Sequence, residues 1–411
     1  MATIKRVIIH LGMPKAGSGS IQRTLFNNSA MLEKNGFRYL SEWGRSHRGK
    51  LRHFFSSPPI TPVDSSFGNP ISKRRHKKDI RILTNKMLTV VGATECETLI
   101  ISGEISELFS ENAAIENLNE FIKENFYRNG IEITIVLMIR NPLLFAISLL
   151  QQTLFGSKYF RNIDFFDTII NHYEGIINLH RHFADSIVLV KFEDACLDKD
   201  GLVGHFLKKI GFLEKNIQAL KIINSGEARC KEVMDLVNYI ESIEPLALRN
   251  NFVSMNPNRT INDLRYIQKI KGAKFDLPYQ SKIELFERLQ KAVKILKENT
   301  GIDYTDYKVP LPSTEQETYS EKTIQELITA FPKLSPALQK LFLKFFEMQY
   351  AKTSQVKFKQ LYFKDSVPWR IYNEKNIFLC GLAYRLKNML PKLIPQSIRL
   401  TLKHKRGYAD D

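Results

Sequence analysis

Ile4-Lys5-Arg6-Val7-Ile8-Ile9-His10-Leu11, followed by Gly12-Met13-Pro14-Lys15-Ala16-Gly17-Ser18-Gly19-Ser20-Ile21-Gln22, is the stretch that decides the fold. The first eight residues alternate loosely and are β-branched, which predicts a buried strand. Residues 12–20 are small and glycine-rich. A helix is predicted over 21–35, with Ile21, Leu25 and Leu32 on one face. A strand, a glycine loop and a helix in that order form an anion site. Loop N–H groups and the positive end of the helix dipole converge there, and glycine lets the backbone approach closely. Lys15 adds a point charge, and Ser18 and Ser20 add hydroxyl donors.

Outward from this unit, strands and helices alternate. Strands are predicted over 99–102, 132–139 and 186–192, and helices over 115–126, 143–155, 165–183 and 202–210. The almost wholly apolar Thr134-Ile135-Val136-Leu137-Met138-Ile139 reads as a central parallel strand. This alternation argues an α/β fold, a P-loop-like, doubly wound parallel sheet flanked by helices. Further helices are predicted over 231–243, 261–270 and 281–299. A linker-like stretch with Pro310 and Pro312 follows, then short helices over 321–330 and 336–350 and a basic end interrupted by prolines. The expected organisation is one domain over 1–304 and a basic, mainly helical C-terminal extension over 305–411. The domain carries a basic insertion at about 41–86, whose aperiodic part, 41–78, reads as a long loop.

The 411 residues carry 60 Lys+Arg and 43 Asp+Glu, a net of +17, with 43% apolar residues. That apolar share excludes a disordered chain. Four cysteines, Cys96, Cys196, Cys230 and Cys380, form no close pair, which argues against a disulfide scaffold or a zinc site and fits a reducing cytosol. No apolar run is long enough to span a bilayer, and the N-terminal run reads as a strand, not a signal peptide. The charge sits in two blocks. Residues 38–86 have twelve basic against three acidic residues, a net of +9, and residues 331–411 have sixteen against five, a net of +11. The remainder is close to neutral, so the excess speaks of anionic partners near these two blocks.

An NTPase P-loop reads GxxxxGK[ST]. Gly12 and Gly17 have that spacing, but Ser18 stands where the lysine belongs, which counts against a kinase or ATPase. Pro14-Lys15-x-Gly17-Ser18-x-Ser20-Ile21-Gln22 instead resembles the 5′-phosphosulfate-binding loop of sulfotransferases that use 3′-phosphoadenosine 5′-phosphosulfate (PAPS). A second motif is similar to the same family. Val136-Leu137-Met138-Ile139 leads into Arg140-Asn141-Pro142, and Ser148 follows eight residues after Arg140, the spacing of the family's 3′-phosphate pair. Arginine grips phosphate bidentately. Val188-Leu189-Val190-Lys191-Phe192-Glu193-Asp194 is similar to the family's late strand, with a structural, helix-capping role expected for it. The resemblance covers about residues 4–300. It departs from the pattern at Gly19, where the family has a second hydroxyl that contacts the 5′-phosphate, and Ser20 is the candidate to compensate.

The resemblance implies cofactor binding by Lys15, Ala16, Gly17, Ser18, Gly19, Ser20, Arg140 and Ser148, with PAPS as donor, 3′-phosphoadenosine 5′-phosphate (PAP) as product, and no metal. It implies metal-free, in-line sulfuryl transfer in which Lys15 neutralises the leaving oxygen. A general base must take the acceptor's proton. Glu104, at the end of Leu99-Ile100-Ile101-Ser102-Gly103-Glu104, is one candidate, and His53, in the basic insertion, is the other. The expected acceptor is a hydroxyl on a glycan or glycolipid, without specific nucleic acid. The expected location is cytoplasmic, with a possible place for the extension on the inner face of an anionic membrane. There Phe342, Phe345, Phe346, Tyr350, Phe358, Tyr362, Phe363, Trp369 and Tyr372 are interleaved with Lys and Arg. A nucleotide-dependent kinase and a non-catalytic polyanion-binding module are the alternatives.

Overall fold

The computed structural model describes residues 4–55, 73–105, 112–155, 165–225, 229–244, 256, 259, 263–311 and 320–352. The chain runs β1 (Arg6–Leu11), α1 (Ser18–Asn27), α2 (Ser29–Glu33), β2 (Phe37–Tyr39), α3 (Arg48–Phe55), α4 (Lys73–Ala93), β3 (Thr98–Gly103), α5 (Asn112–Asn125), β4 (Glu132–Ile139), α6 (Pro142–Phe155), α7 (Phe165–His182), β5 (Ile187–Lys191), α8 (Phe192–Leu197), α9 (Gly201–Lys209) and α10 (Glu214–Ile217). It continues with α11 (Lys231–Ile243), α12 (Tyr279–Arg288), α13 (Gln290–Thr300), α14 (Glu321–Ala330) and α15 (Pro336–Lys352).

Five parallel strands form one sheet in the order β2-β3-β1-β4-β5. β3 and β4 flank β1 and both follow it in the chain. The connection leaving β1 runs out to β2 on one side, while the connection from β3 crosses β1 to β4 on the other, so the direction reverses beside β1. In open α/β sheets ligands bind there, outside the carboxyl ends of the strands. Register makes those ends level: Leu11 pairs with Gly103, and Gly12 N–H donates to the Gly103 carbonyl at 2.9 Å. Val7, Ile8, Ile9, Leu99, Ile100, Ile101 and Ile135 through Ile139 are fully buried, which is why these strands read as apolar runs.

Several elements depart from expectation. β2 is only three residues long, too short to carry a pattern. The stretch 41–78 is no single loop, because α3 and the start of α4 fall within it, and Trp43, Leu51 and Phe55 are buried in the core. Its middle, 56–72, lies outside the described residues. The helix expected over 261–270 is a series of turns in its described part, and that expected over 281–299 is two helices, α12 and α13. The helix expected over 21–35 begins three residues earlier and breaks at Asn28.

The described chain forms two compact units. One holds the described residues of 1–153, 160–228 and 276–315, including the whole sheet. The other holds those of 154–159, 229–275 and 316–411. Residues 229–275 therefore group with the C-terminal segments and not with the sheet. The causes are specific: α11 packs on α15 through Tyr239 and Phe345, and Thr323 Oγ1 donates to the Lys271 carbonyl at 2.9 Å. Phe342, Phe345 and Phe346 are buried in this unit, so these three aromatics are core and not a membrane-facing row. The later aromatics, Phe358 to Tyr372, lie outside the described residues. No helix among the described residues is long and apolar enough to cross a membrane.

Tyr304, in the stretch read as a linker, is buried. Its hydroxyl lies 2.8 Å from both the Ile139 carbonyl and Glu193 Oε2, fixing the end of β4 to the start of α8. Tyr304→Phe leaves that buried carbonyl short of a donor and is expected to cost about 1–3 kcal/mol, read from the urea midpoint. An unchanged midpoint would contradict this role.

Candidate functional site

The loop after β1 turns back on itself through two left-handed residues, Lys15 at φ 64° and Gly17 at φ 81°. Glycine adopts this conformation freely; lysine pays roughly 1–2 kcal/mol for it. Gly17 has a second constraint: a Cβ there would lie 2.0 Å from Leu202 Cδ2. The strained turn is held from β4. Arg140, the residue after that strand, donates from Nη1 to the Lys15 carbonyl at 2.7 Å.

The turn delivers the chain into α1, so Ser18 begins the helix and Gly17 is its N-cap. First-turn N–H groups lack partners within a helix. Ser18 is buried at 4% exposure, and its Oγ has no hydrogen-bond partner among the described residues. It is tucked over Gly12, where a Cβ would come within 2.0 Å of it, beside the Glu104 backbone. A buried hydroxyl without a partner, at a helix N-terminus and inside a cradle of glycines, fits an anionic group such as a phosphate. At the position of the P-loop lysine this chain therefore places a small hydroxyl.

Ser20 is not part of that cradle's free donor set. Its Oγ accepts from Ser225 N–H at 2.9 Å and donates to the Ser225 carbonyl at 3.1 Å. Gly19 is exposed on the first turn, and Ala16 is buried. Ser148 lies two turns along α6, half-buried, and no hydrogen bond links it to Arg140 among the described residues.

Arg140 is itself half-buried. Its Nε is buried without a partner among the described residues, its guanidinium lies 5.1 Å from the Phe192 ring, and burial pulls its pKa down while Glu193 opposes the shift. Glu193 does not simply cap α8, as its sequence context predicts. Its Oε1 accepts from Asn141 N–H at 3.1 Å and its Oε2 meets Tyr304, so it anchors the turn that presents Arg140. Asn141 Oδ1 caps α6 by accepting from Leu143 and Leu144 N–H. Tyr173 Oη donates to the Arg140 carbonyl at 2.6 Å.

Glu104 follows β3 on the same sheet edge. Burial raises its pKa, and the positive charges of Arg48 and Lys15 oppose that shift. Arg48, the first residue of α3, is 4.0 Å from Glu104 Oε1. Sequence reasoning passed over Arg48 as one cation in a basic run. Beneath Glu104 lies a polar network that the sequence did not signal. Ser102 N–H donates to His47 Nδ1 at 2.9 Å, His47 N–H donates to the Ser102 carbonyl, and Ser102 Oγ lies 2.7 Å from His10 Nδ1. Burial pushes both His10 and His47 down to about 3, so both are neutral and act as fixed props.

His53 is elsewhere. It lies farther along α3, its ring stacks on His76 of α4 at 5.7 Å, and its carbonyl bonds His76 Nε2 at 2.6 Å. Burial lowers its pKa, and the charges that act on it are those of Asp79, His76, Arg52 and Arg75. The charges of Arg48 and Lys15 act on Glu104, whereas His53 belongs to the α3–α4 contact.

No protein-family model matches the chain, and no curated protein matches it. Among solved structures it is similar to a sulfotransferase from Alicyclobacillus acidocaldarius, with 11% identity, a TM-score of 0.32, and coverage of 56% of this chain and 89% of that one. It is also similar to retinol dehydratase in complex with androsterone and inactive cofactor PAP, with 13% identity, a TM-score of 0.31, and coverage of 74% and 83%. The same enzyme with retinol and PAP gives 14% identity, a TM-score of 0.30, and coverage of 73% and 84%.

The left-handed backbone at Lys15 makes a directional prediction. Alanine keeps the strain and glycine removes it, so Lys15→Gly should be more stable than Lys15→Ala by about 1 kcal/mol. Thermal melts of the two variants check this; Lys15→Ala melting as high as Lys15→Gly would contradict a strained turn.

Proposed function

We propose that the protein is a sulfotransferase that takes its sulfuryl group from PAPS. The observation that carries this reading is the loop itself. A glycine cradle with an unpartnered, buried Ser18 hydroxyl at the start of α1 is bracketed by Lys15, Arg140 and Glu104. The kinase alternative is disfavoured because the first residue of α1 is this small, buried serine and not an amine-bearing lysine.

In this reading residues 15–19 hold the 5′-phosphosulfate side of the nucleotide through first-turn N–H groups, Ser18 Oγ and the Lys15 ammonium. Arg140 and Ser148 take the 3′-phosphate. Bound PAPS supplies the sulfuryl group: the acceptor oxygen bonds to sulfur, the bond from sulfur to the 5′-phosphate oxygen breaks, and PAP is released. Lys15 stabilises charge on the leaving oxygen. Glu104 takes the acceptor's proton, and its raised pKa strengthens it as a base at neutral pH. His53, whose contacts are with α4, is the weaker candidate for that role.

The proposed acceptor is a hydroxyl on an acidic carbohydrate or glycoconjugate. What supports this is the basic face of α4, where Arg74, Arg75, Lys77, Lys78 and Arg81 are exposed. α3 links that face to the site, with Arg48 at one end reaching Glu104 and His53 bonded to α4. Recruitment of an anionic surface by the C-terminal extension remains part of the proposal.

Two predictions follow from these roles. PAP should raise the melting temperature, with stabilisation of about 2.7 kcal/mol at a hundred times its Kd. Arg140→Ala should abolish that rise while remaining folded; no shift at millimolar PAP would sink the reading. In a transfer assay, kcat/KM should fall as pH drops through the raised Glu104 pKa, so the acid limb lies above the ordinary carboxylate range. Glu104→Gln should lose this limb and roughly 10²-fold or more in kcat. Arg48→Met removes a cation that holds the pKa down, so it should move the limb to higher pH. A limb that stays in place in Arg48→Met would contradict Glu104 as the titrating base.

A further inference from the structure

Residues 221–225 are strapped along α1 by a matched ladder. Asn28 Oδ1 accepts from Lys221 N–H at 3.0 Å, Thr24 Oγ1 accepts from Ile223 N–H at 3.0 Å, and Ser20 Oγ accepts from Ser225 N–H at 2.9 Å. The pitches agree: four residues of helix rise about 6 Å, and two residues of extended chain span about 6.6 Å. Each step up the strap therefore meets the next turn of the helix, running toward its N-terminus.

The strap ends with Ser225 at the mouth of the loop. A Cβ built on Gly19 would lie 2.9 Å from Ser225 Oγ, so this hydroxyl stands beside the place where a side chain at position 19 would begin. Gly19 is the second residue of α1, on the same first turn as the buried, unpartnered Ser18 Oγ. The strap does not use the Ser225 hydroxyl. Its clasp is made by the backbone N–H and carbonyl, both satisfied by Ser20 Oγ, and among the described residues Ser225 Oγ has only a long contact of 3.4 Å to that atom.

We propose that Ser225 is a binding residue for the anion held at the loop, donating its hydroxyl to the 5′-phosphate side of the nucleotide from the space that Gly19 leaves open. The inference rests on the PAPS reading. It also accounts for the glycine: a serine at 19 and Ser225 compete for one position, so the hydroxyl arrives from 206 positions downstream.

The test is calorimetric titration of PAP and of adenosine 3′-monophosphate, which lacks the 5′-phosphate, into the full chain. Ser225→Ala keeps the backbone clasp and should fold normally. It should weaken PAP about tenfold, the loss of one hydrogen bond to a charged group, and leave adenosine 3′-monophosphate unaffected. Gly19→Ser alone should weaken PAP by crowding Ser225. The double variant Gly19→Ser/Ser225→Ala should bind PAP more tightly than Ser225→Ala, because the hydroxyl is restored from the loop. Equal loss for both ligands in Ser225→Ala, or no loss, overturns the assignment while leaving the PAPS reading intact. Failure of the wild-type chain to bind PAP overturns both.

Discussion

The carboxyl edge of the sheet depends on a turn that an L-residue resists. Lys15 is left-handed, and the Arg140 guanidinium holds its carbonyl. That one hydrogen bond joins the ends of β1 and β4, strands adjacent in the sheet but far apart in sequence. It fixes where α1 begins, and so where the first-turn N–H groups and Ser18 point. Arg140 is held in turn by its own surroundings. Glu193 and Tyr304 pin the turn around it, and Tyr173 takes its carbonyl. The strain at Lys15 persists because three separate segments over-determine it.

The central architecture was legible because its physics is local. β4 is an eight-residue run that is apolar apart from Glu132 and Thr134, and its bounds read from the pattern agree with those observed, Glu132–Ile139. β1, α5, α6, α7 and α11 were also found, since each carries a long periodic or apolar signal. β2 was missed because three residues hold no period. α4 was missed because its apolar positions, Met87, Val90 and Val91, are diluted by a basic face, and a basic, aperiodic segment reads as a loop. The grouping of 229–275 with the C-terminal segments depends on contacts between α11 and α15, about a hundred residues apart in sequence, which no local pattern encodes.

The same division holds at the site. The loop and Arg140 were found because they sit at strand ends with recognisable spacing. What they touch was not found. The bond from Arg140 to the Lys15 carbonyl, the pairing of Arg48 with Glu104, the neutral His10–Ser102–His47 network and the strap that ends in Ser225 all join residues more than fifty positions apart, or depend on burial. The net charge of +17 takes on a narrower meaning as well. Part of the first basic block is the exposed face of α4, outside the loop that would hold phosphate, so the excess bears on the acceptor more than on the chemistry.

The most direct measurement of the central claim is a crystal structure of the chain with PAP bound. The account predicts the 5′-phosphate against the first turn of α1, within hydrogen-bond distance of Lys15 Nζ and Ser18 Oγ, and the 3′-phosphate on Arg140. A nucleotide bound elsewhere, or a loop left empty at saturating PAP, would contradict it.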